Sequence, residues 1–196
     1  PFSVAFEMSG FGFLDAAAWE LSEKTRQAQK TFGNHLGLFH QAILGHMDGW
    51  INRGIGHSID LECPEKRIIA EVKNKHNTVT KAKLKDVYDH LYNLVMPIAS
   101  TYHGFTAYYI EIIPRPRSGY DIPFTPSDGA TKTRRAENPL IRKIDGKRFY
   151  ALATGVPDAL DQIYKVLPAV ITHLSGYSFS ASAVNKFDDY YKKAFS

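Results

Sequence analysis

The chain has 196 residues, a hydrophobic fraction of 44% and a formal net charge of +4. This size predicts one domain with a full hydrophobic core, and no stretch reaches the roughly 20 apolar residues that a membrane-spanning helix needs. Glu7 and Asp15 interrupt the only apolar opening, so no secretory leader is expected. The single cysteine, Cys63, excludes an internal disulfide and a zinc site built from cysteines alone.

The positive charge is concentrated in one segment of the chain. Residues 115–148 hold nine Lys and Arg against four Asp and Glu, whereas the rest of the chain holds fifteen against sixteen. Such an asymmetry indicates a polyanionic partner, and a solvated loop without a particular function is the alternative. Because Pro114, Pro116, Pro123 and Pro126 interrupt it, the segment at about 114–148 is predicted to be an irregular, basic insertion that contacts this partner.

The first third of the chain predicts two helices. Residues 15–30 have weakly amphipathic helical spacing, and Asn34 can cap a second helix. Four glycines between residues 45 and 56 then interrupt the pattern. The second helix has one apolar face, made of Leu36, Phe39, Ile43 and Met47.

Two alternating segments come next and predict a β-hairpin. Residues 57–63 and 68–75 each alternate between apolar and polar side chains, and a polar turn at 64–67 joins them. With a four-residue loop, Asp60 lies directly opposite Glu71. The first strand is expected to direct one set of side chains to the core: Ile59, Leu61 and Cys63.

A helix and a buried strand follow the hairpin. Thr78 or Thr80 can cap the helix, which is expected to end before Pro97. The strand is expected over residues 104–113, which are rich in aromatic and β-branched side chains.

The pattern after the basic segment predicts one more strand and two helices. Asp145-Gly146 indicates a hairpin turn that leads into a strand at 149–154. Pro157 opens a helix that contains Pro168, and a short amphipathic helix covers residues 184–195. The whole order predicts an α/β fold with a central mixed β-sheet flanked by helices.

Asp60, Glu71 and Lys73 are the candidate catalytic residues. Two carboxylates on adjacent strands can hold divalent cations, which prefer oxygen ligands and lower the pKa of bound water. Lys73 projects from the same face as Glu71, where it can orient or help deprotonate the attacking water and offset charge at the phosphate. The Val72 carbonyl is a candidate further metal ligand. This pattern predicts phosphodiester hydrolysis, with an ordinary charged hairpin surface as the alternative.

The pattern of Asp60, a hairpin and then Glu71-Val-Lys73 resembles the PD-(D/E)xK nuclease superfamily. The longer run over residues 71–78 is similar to type II restriction endonucleases. Two further segments resemble a group of these enzymes that cuts GGNCC-type sites, namely residues 37–41 and 149–155.

This resemblance implies a restriction-endonuclease-like core and a Mg²⁺-dependent enzyme in which Mn²⁺ can substitute. Asp60 and Glu71 would be the metal ligands, and Lys73 the catalytic lysine. Ile59 stands where the superfamily's name has proline, a position that varies in such enzymes. No nucleotide cofactor is expected, because the sequence has neither a Walker loop nor a dinucleotide fingerprint.

Three other residues are weaker candidates for the site. Glu62 shares the predicted face of Asp60, so it is either an outer ligand of the metal or a solvent-facing side chain. His40 or Gln41 can supply a further polar group from the helix before the hairpin, or lie on the helix surface. The eight histidines form no spaced zinc motif.

Candidate DNA contacts fall into three groups. Arginine is the usual bidentate partner of guanine in the major groove, which favours Arg115, Arg117, Arg134 and Arg135 in the basic segment. Lysines suit phosphates, which position DNA without specifying sequence, and the candidates are Lys81, Lys85, Lys132 and Lys143. The polar run after the catalytic lysine adds Asn74, Lys75, Asn77 and Thr78, although the last two can also simply cap the next helix.

Together these patterns predict one nuclease domain over residues 1–196, acting as a type II restriction endonuclease in a prokaryotic cytoplasm. It would cut both strands of duplex DNA at a short, near-palindromic sequence, most simply as a homodimer. One alternative is a repair or junction-resolving nuclease of the same superfamily. Another is a non-catalytic DNA-binding protein on this fold, which the intact acidic pair and lysine disfavour.

Overall fold

The computed structural model describes residues 8–10, 12, 16–54, 56–129, 131, 133–176 and 178–195, and the side chains of all of these except residues 32–34. The chain divides into two compact units, residues 1–39 and 40–196, and the second unit holds the β-sheet. The main helices are α1 (Ala16–Gly45), α2 (Lys81–Val95), α3 (Gly146–Thr154), α4 (Ala159–Ser175) and α5 (Ala181–Phe195). The strands are β1 (Ile51–Asn52), β2 (Leu61–Cys63), β3 (Ile68–Lys75), β4 (Thr106–Ile113), β5 (Asp121–Pro123) and β6 (Ile141–Asp145).

The six strands form one mixed sheet in the order β1-β2-β3-β4-β6-β5. The central pairs β3–β4 and β4–β6 are parallel, whereas β1–β2, β2–β3 and β5–β6 are antiparallel. Six of the eight residues of β4 are buried, as expected for a central strand that is covered on both faces. This architecture confirms the predicted α/β fold with a mixed sheet and flanking helices.

Each face of the sheet has its own apolar cluster. On one side, which we call the α3 face, Val72 packs with Leu44 of α1 and Phe149 of α3. On the other side, the α2 face, Ile69 packs with Leu91 of α2. Within the described part of the chain, no helix combines the length and apolarity needed to cross a membrane.

The hairpin has the predicted register but a shorter first strand. Leu61 pairs with Ala70 and Cys63 with Ile68, which confirms the predicted register and its four-residue loop. The strand β2 covers three residues instead of the predicted 57–63, because the Asp60 carboxylate accepts the hydrogen bond of the Val72 N–H at 2.7 Å. The chain leaves the ladder there. Ile59 consequently packs on the α2 face, so the prediction that it shares a face with Leu61 is wrong.

The helix at the start of the chain runs through the boundary predicted at Asn34. The helix α1 is continuous over 30 residues, so Asn34 is an interior position and not a cap. Gly33 and Gly37, on either side of it, do not end the helix, because a glycine still has a backbone N–H that can donate a helical hydrogen bond. Glycine costs only about 1 kcal/mol relative to alanine inside a helix, whereas proline also removes a hydrogen bond.

Asp145-Gly146 is a helix start and not a hairpin turn. The Asp145 carboxylate accepts a hydrogen bond from the Arg148 N–H at 3.2 Å, which caps α3. A side chain at Gly146 would bring its Cβ to 2.5 Å from the Ile112 carbonyl oxygen, so the glycine allows the strand and helix to approach. The predicted strand at 149–154 is therefore helical.

The basic segment is not an irregular insertion. It supplies β5 and β6, and β6 lies inside the sheet between β4 and β5. Pro123 is tolerated because β5 is an edge strand. Other predicted boundaries are confirmed: α2 ends before Pro97, Pro168 lies inside α4, and α5 covers the final amphipathic segment.

Candidate active site

Glu71 and Lys73 lie side by side on β3, on the α2 face of the sheet. The alternation of the strand turns both side chains away from Val72, which is buried on the α3 face. The Lys73 Nζ lies 2.6 Å from Glu71 Oε1, and the two side chains are 23% and 22% exposed. The structure thus forms a half-buried ion pair that solvent and substrate can reach.

Asp60 faces the same site from the end of the hairpin. Its Oδ2 accepts the hydrogen bond from the Val72 N–H, which fixes the carboxylate against the edge of β3. Burial, and secondly the negative charge of Glu71, raise the pKa of Asp60 to about 6. Two carboxylates held close together in a partly buried site form an environment that a bound cation would relieve.

The Val72 carbonyl faces the same open edge. In a β-strand the N–H and C=O of one residue point to the same side, and the Val72 N–H points to Asp60. The ladder between β2 and β3 ends at the pair of Leu61 and Ala70, so no strand built from the described residues covers the edge at Val72. Two carboxylates and this carbonyl give three oxygen donors, a set that suits a hard divalent cation.

No cluster of three or more His, Cys, Asp or Glu side chains in the described part of the chain could hold a metal ion. A cation at this site would therefore depend on the two carboxylates of Asp60 and Glu71. The Val72 carbonyl, water and substrate phosphate oxygens would complete its ligands. Such an open coordination sphere is what a catalytic metal requires, because the reacting groups must reach it.

The weaker candidates for the site differ in their surroundings. Burial lowers the pKa of His40 to about 4, and its Nδ1 lies 2.9 Å from the Tyr150 hydroxyl in the cluster of the α3 face, opposite the candidate site. Glu62 is buried, and it accepts hydrogen bonds from Arg53 and from the Tyr102 hydroxyl. It is therefore not solvent-facing, and its carboxylate already has two donors. Among the described residues, no hydrogen bond joins Gln41 to the site.

Glu111 is a buried acid beside the site that the sequence analysis missed. It lies on β4 as the register partner of Lys73, and its side chain is 1% exposed. The Lys143 Nζ lies 2.9 Å from its Oε1, and the Tyr120 hydroxyl donates to its Oε2. The available signal was a single charged residue inside an otherwise apolar strand, since a buried carboxylate is costly unless it is paired.

The polar run after Lys73 lies at the end of β3 and the start of α2. Lys75 and Asn77 are exposed, and Asn74 is half-buried. The Thr78 hydroxyl accepts a hydrogen bond from the Lys75 N–H at 3.2 Å, so it stabilises the turn. The cap position of α2 is Thr80, and Lys81 begins the helix as an exposed residue.

The loop arginines differ in their surroundings. Arg115, Arg117 and Arg134 are exposed and have no ion pair with another described residue. Arg135 is held by Asp89 of α2, at 2.7 Å. Two of the lysines predicted to contact phosphates are also paired, Lys85 with Asp89 and Lys143 with Glu111, while Lys132 lies outside the described residues.

Known proteins resemble this chain over most of its length. Residues 1–175 match the family described as Eco47II restriction endonuclease. The type II restriction enzyme Eco47II of Escherichia coli is 48% identical over 174 residues, which cover 89% of this chain and 72% of that protein. The type II restriction enzyme Sau96I of Staphylococcus aureus is 32% identical over 174 residues, covering 87% and 64% respectively. No solved structure matches the chain.

Proposed function

Since this chain belongs to the Eco47II restriction endonuclease family, we propose that it cuts both strands of duplex DNA at a short, near-palindromic sequence with Mg²⁺. The family's activity is the site-specific hydrolysis of DNA, and it implies a divalent metal. Mn²⁺ is the proposed substitute. The observation that carries the site assignment is the Asp60 carboxylate, bonded to the Val72 N–H beside the pair of Glu71 and Lys73.

Asp60, Glu71 and the Val72 carbonyl are the proposed metal ligands. A divalent cation bound there supplies a water of lowered pKa and neutralises charge on the phosphate. The protein positions the two carboxylates. The Val72 N–H fixes Asp60, and the pleat of β3 keeps Glu71 on the reacting side.

Lys73 is the proposed catalytic lysine. Its ammonium projects from the same face as Glu71, so it reaches the space in front of the two carboxylates. There it orients the attacking water and offsets the negative charge that develops on the phosphoryl oxygens. These interactions strengthen in the transition state, so Lys73 contributes to the rate more than to DNA affinity.

Recognition of a GGNCC-type site is proposed for the exposed arginines. Arg115, Arg117 and Arg134 have no ion pair among the described residues, so their guanidinium groups can meet guanine edges without breaking a contact of the fold. Arg135 is a poorer candidate, because it is held by Asp89. Phosphate contacts are proposed for the polar run at the end of β3 and the start of α2, made of Asn74, Lys75, Asn77, Thr78 and Lys81.

A homodimer, a single nuclease domain and a cytoplasmic location remain parts of the proposal. A two-fold dimer presents one active site to each strand of a near-palindromic site, which is the simplest route to a double-strand cut.

The direct test is the fragment pattern from a plasmid of known sequence, incubated with the protein and Mg²⁺. The proposal expects discrete double-strand fragments that end at one recurring short sequence. A four-way junction of unrelated sequence serves as the comparison substrate. Cleavage of the junction alone would overturn the proposal in favour of a structure-selective nuclease. Binding to DNA without any cleavage would overturn it in favour of a DNA-binding protein.

A further inference from the structure

Polar side chains on β4 and β6 lie next to the candidate active site. The strands β3, β4 and β6 are parallel and in register, so partners across them share one face of the sheet. Two successive rows of register partners on the α2 face bring a charged network to the site, the first made of Glu71, Tyr109 and Lys143, and the second of Lys73 and Glu111.

Glu111 is the buried centre of this network. Its side chain is 1% exposed, and its contacts come from Lys143, at 2.9 Å, and from the Tyr120 hydroxyl. A carboxylate offers about four acceptor positions, so these two partners leave room for another donor. Replacing a buried ion pair by apolar residues is often neutral or stabilising, so stability alone gives little reason for an acid here.

Lys73 is the donor that the register brings next to Glu111. The two residues are Cα partners on neighbouring strands, with side chains on the same face. The Lys73 ammonium is paired with Glu71 Oε1, at 2.6 Å. A cation held by Glu71 competes with Lys73 for that carboxylate and repels the ammonium. Another fixed negative charge is then needed to keep Lys73 at the reacting phosphate.

We propose that Glu111 is a positioning residue, which holds the Lys73 ammonium at the reacting phosphate once Glu71 serves as a metal ligand. This inference rests on the proposed function. Lys143 and Tyr120 fix the Glu111 carboxylate inside the sheet. Glu111 itself contacts neither the DNA nor the metal, so its effect passes through Lys73.

The test compares single-turnover cleavage by Glu111→Gln and by the wild type. Glu111→Gln keeps the shape of the side chain and removes its charge. We expect the rate to fall by roughly 100-fold, the cost of misplacing a catalytic group by about 1 Å. In the Lys73→Ala background, Glu111→Gln should cause no further loss, because residues that act as a unit are not additive. Additive losses would overturn the proposal.

Two readouts separate positioning from a structural or metal-binding role. Mn²⁺ affinity measured by calorimetry without DNA should match that of the wild type in Glu111→Gln, and a collapse of that affinity would overturn the proposal. Acylation of Lys73, followed by peptide mass spectrometry in Ca²⁺, should become faster, because the ammonium loses its partner. Unchanged labelling of Lys73 would count against the inference.

A matched control comes from a second carboxylate that joins a lysine to a tyrosine. Asp161 on α4 lies 3.0 Å from the Lys147 Nζ and accepts a hydrogen bond from the Tyr191 hydroxyl, away from the sheet face that holds the site. Asp161→Asn loses the same kind of contact. Its single-turnover rate and Lys73 labelling should equal those of the wild type, and a loss equal to that of Glu111→Gln would remove the support for a specific role.

Three outcomes distinguish this inference from the proposed function. Absence of any cleavage by the wild type would end the proposed function, and a wild-type rate in Lys73→Ala would end the proposed role of Lys73. A wild-type rate in Glu111→Gln, with Lys73→Ala inactive, would end only the inference. If Glu111→Gln does not fold, Tyr120→Phe replaces it, since that variant loses one hydrogen bond to Glu111 but keeps the charge. A rate in Tyr120→Phe equal to the wild type would then overturn the proposal.

Discussion

Asp60 combines a structural hydrogen bond with a carboxylate that is proposed to bind metal. One carboxylate oxygen accepts the hydrogen bond of the Val72 N–H, and the carboxylate faces Glu71 across the hairpin. The backbone donor would lose its acceptor in Asp60→Ala, which costs about 1–3 kcal/mol for a buried group. Asp60→Ala is therefore expected to be less stable than the wild type. An asparagine keeps an acceptor oxygen while removing the charge.

We predict that Asp60→Asn is at least as stable as the wild type at pH 7 without metal, whereas Asp60→Ala is less stable. Burial and the negative charge of Glu71 raise the pKa of Asp60 to about 6, so the ionised carboxylate destabilises the fold at pH 7. The neutral amide of asparagine removes the repulsion from Glu71. Urea denaturation in chelator measures both variants. A lower free energy of unfolding for Asp60→Asn than for Asp60→Ala would contradict this reading of the hydrogen bond.

His40 predicts a pH dependence of stability that is separate from the active site. Burial lowers its pKa from 6.5 to about 4, so folding favours the neutral ring. The stabilisation is complete above pH 6.5 and is lost as the pH falls toward 4, to an extent on the order of 3 kcal/mol. The difference in unfolding free energy between the wild type and His40→Gln, measured from pH 7 to 4, should shrink accordingly. A difference that does not change with pH would refute it.

Lys73→Ala is expected to lose catalysis far more than binding. Lys73 is proposed to act on the attacking water and on charge that develops in the transition state, so the ground-state complex should depend little on it. DNA affinity in Ca²⁺ should stay within about tenfold of the wild type, or roughly 1.4 kcal/mol. Equilibrium binding and single-turnover cleavage on the same duplex measure the affinity and the rate of the variant separately. Collapsed binding with an unchanged rate would make Lys73 a phosphate anchor.

The elements show which local patterns were sufficient for prediction. The hairpin register followed from alternation and a four-residue turn, and the end of α2 followed from Pro97, because these signals lie within a few residues. The missed features depend on distant partners. The short β2 results from a side chain that takes a backbone hydrogen bond, and α3 begins where Gly146 meets Ile112 across the sheet.

Neighbouring arginines in the loop before β6 provide a matched pair that tests the proposed base contacts. We predict that Arg134→Ala weakens binding by about 1–3 kcal/mol on cognate duplex only, since the exposed guanidinium is assigned to guanine. Arg135→Ala should instead lower stability and affect cognate and scrambled duplexes alike, because it releases Asp89 on α2. Equilibrium binding in Ca²⁺ at several salt concentrations separates the two.

A loss of affinity on cognate duplex only in Arg135→Ala, with a uniform loss in Arg134→Ala, would reassign the base contact to Arg135. A third outcome is that each alanine variant loses the same DNA affinity on cognate and scrambled duplexes, with the salt slope reduced by about one unit. All four arginines would then be phosphate contacts, namely Arg115, Arg117, Arg134 and Arg135. Recognition would then move to the polar run at 74–78.

At the scale of the whole molecule, the sheet assembles the site from parts that are distant in sequence. The hairpin was predictable, but the parallel order β3-β4-β6 was not, and that order places Glu111 beside Lys73. Net charge was also an incomplete guide. The basic segment keeps its excess of positive residues, yet most of those in and next to β6 are neutralised within the fold, namely Arg142 by Asp121, Lys143 by Glu111, Lys147 by Asp161 and Arg148 by Asp145.

The central claim is that Asp60 and Glu71 bind the metal that makes this chain a nuclease. It is tested most directly by single-turnover cleavage of a duplex carrying the mapped site, with the wild type and Asp60→Asn, in Mg²⁺ and in excess chelator. The account predicts cleavage by the wild type in Mg²⁺ alone, and none by a folded Asp60→Asn. Full activity of that variant, or cleavage that persists in chelator, would contradict it.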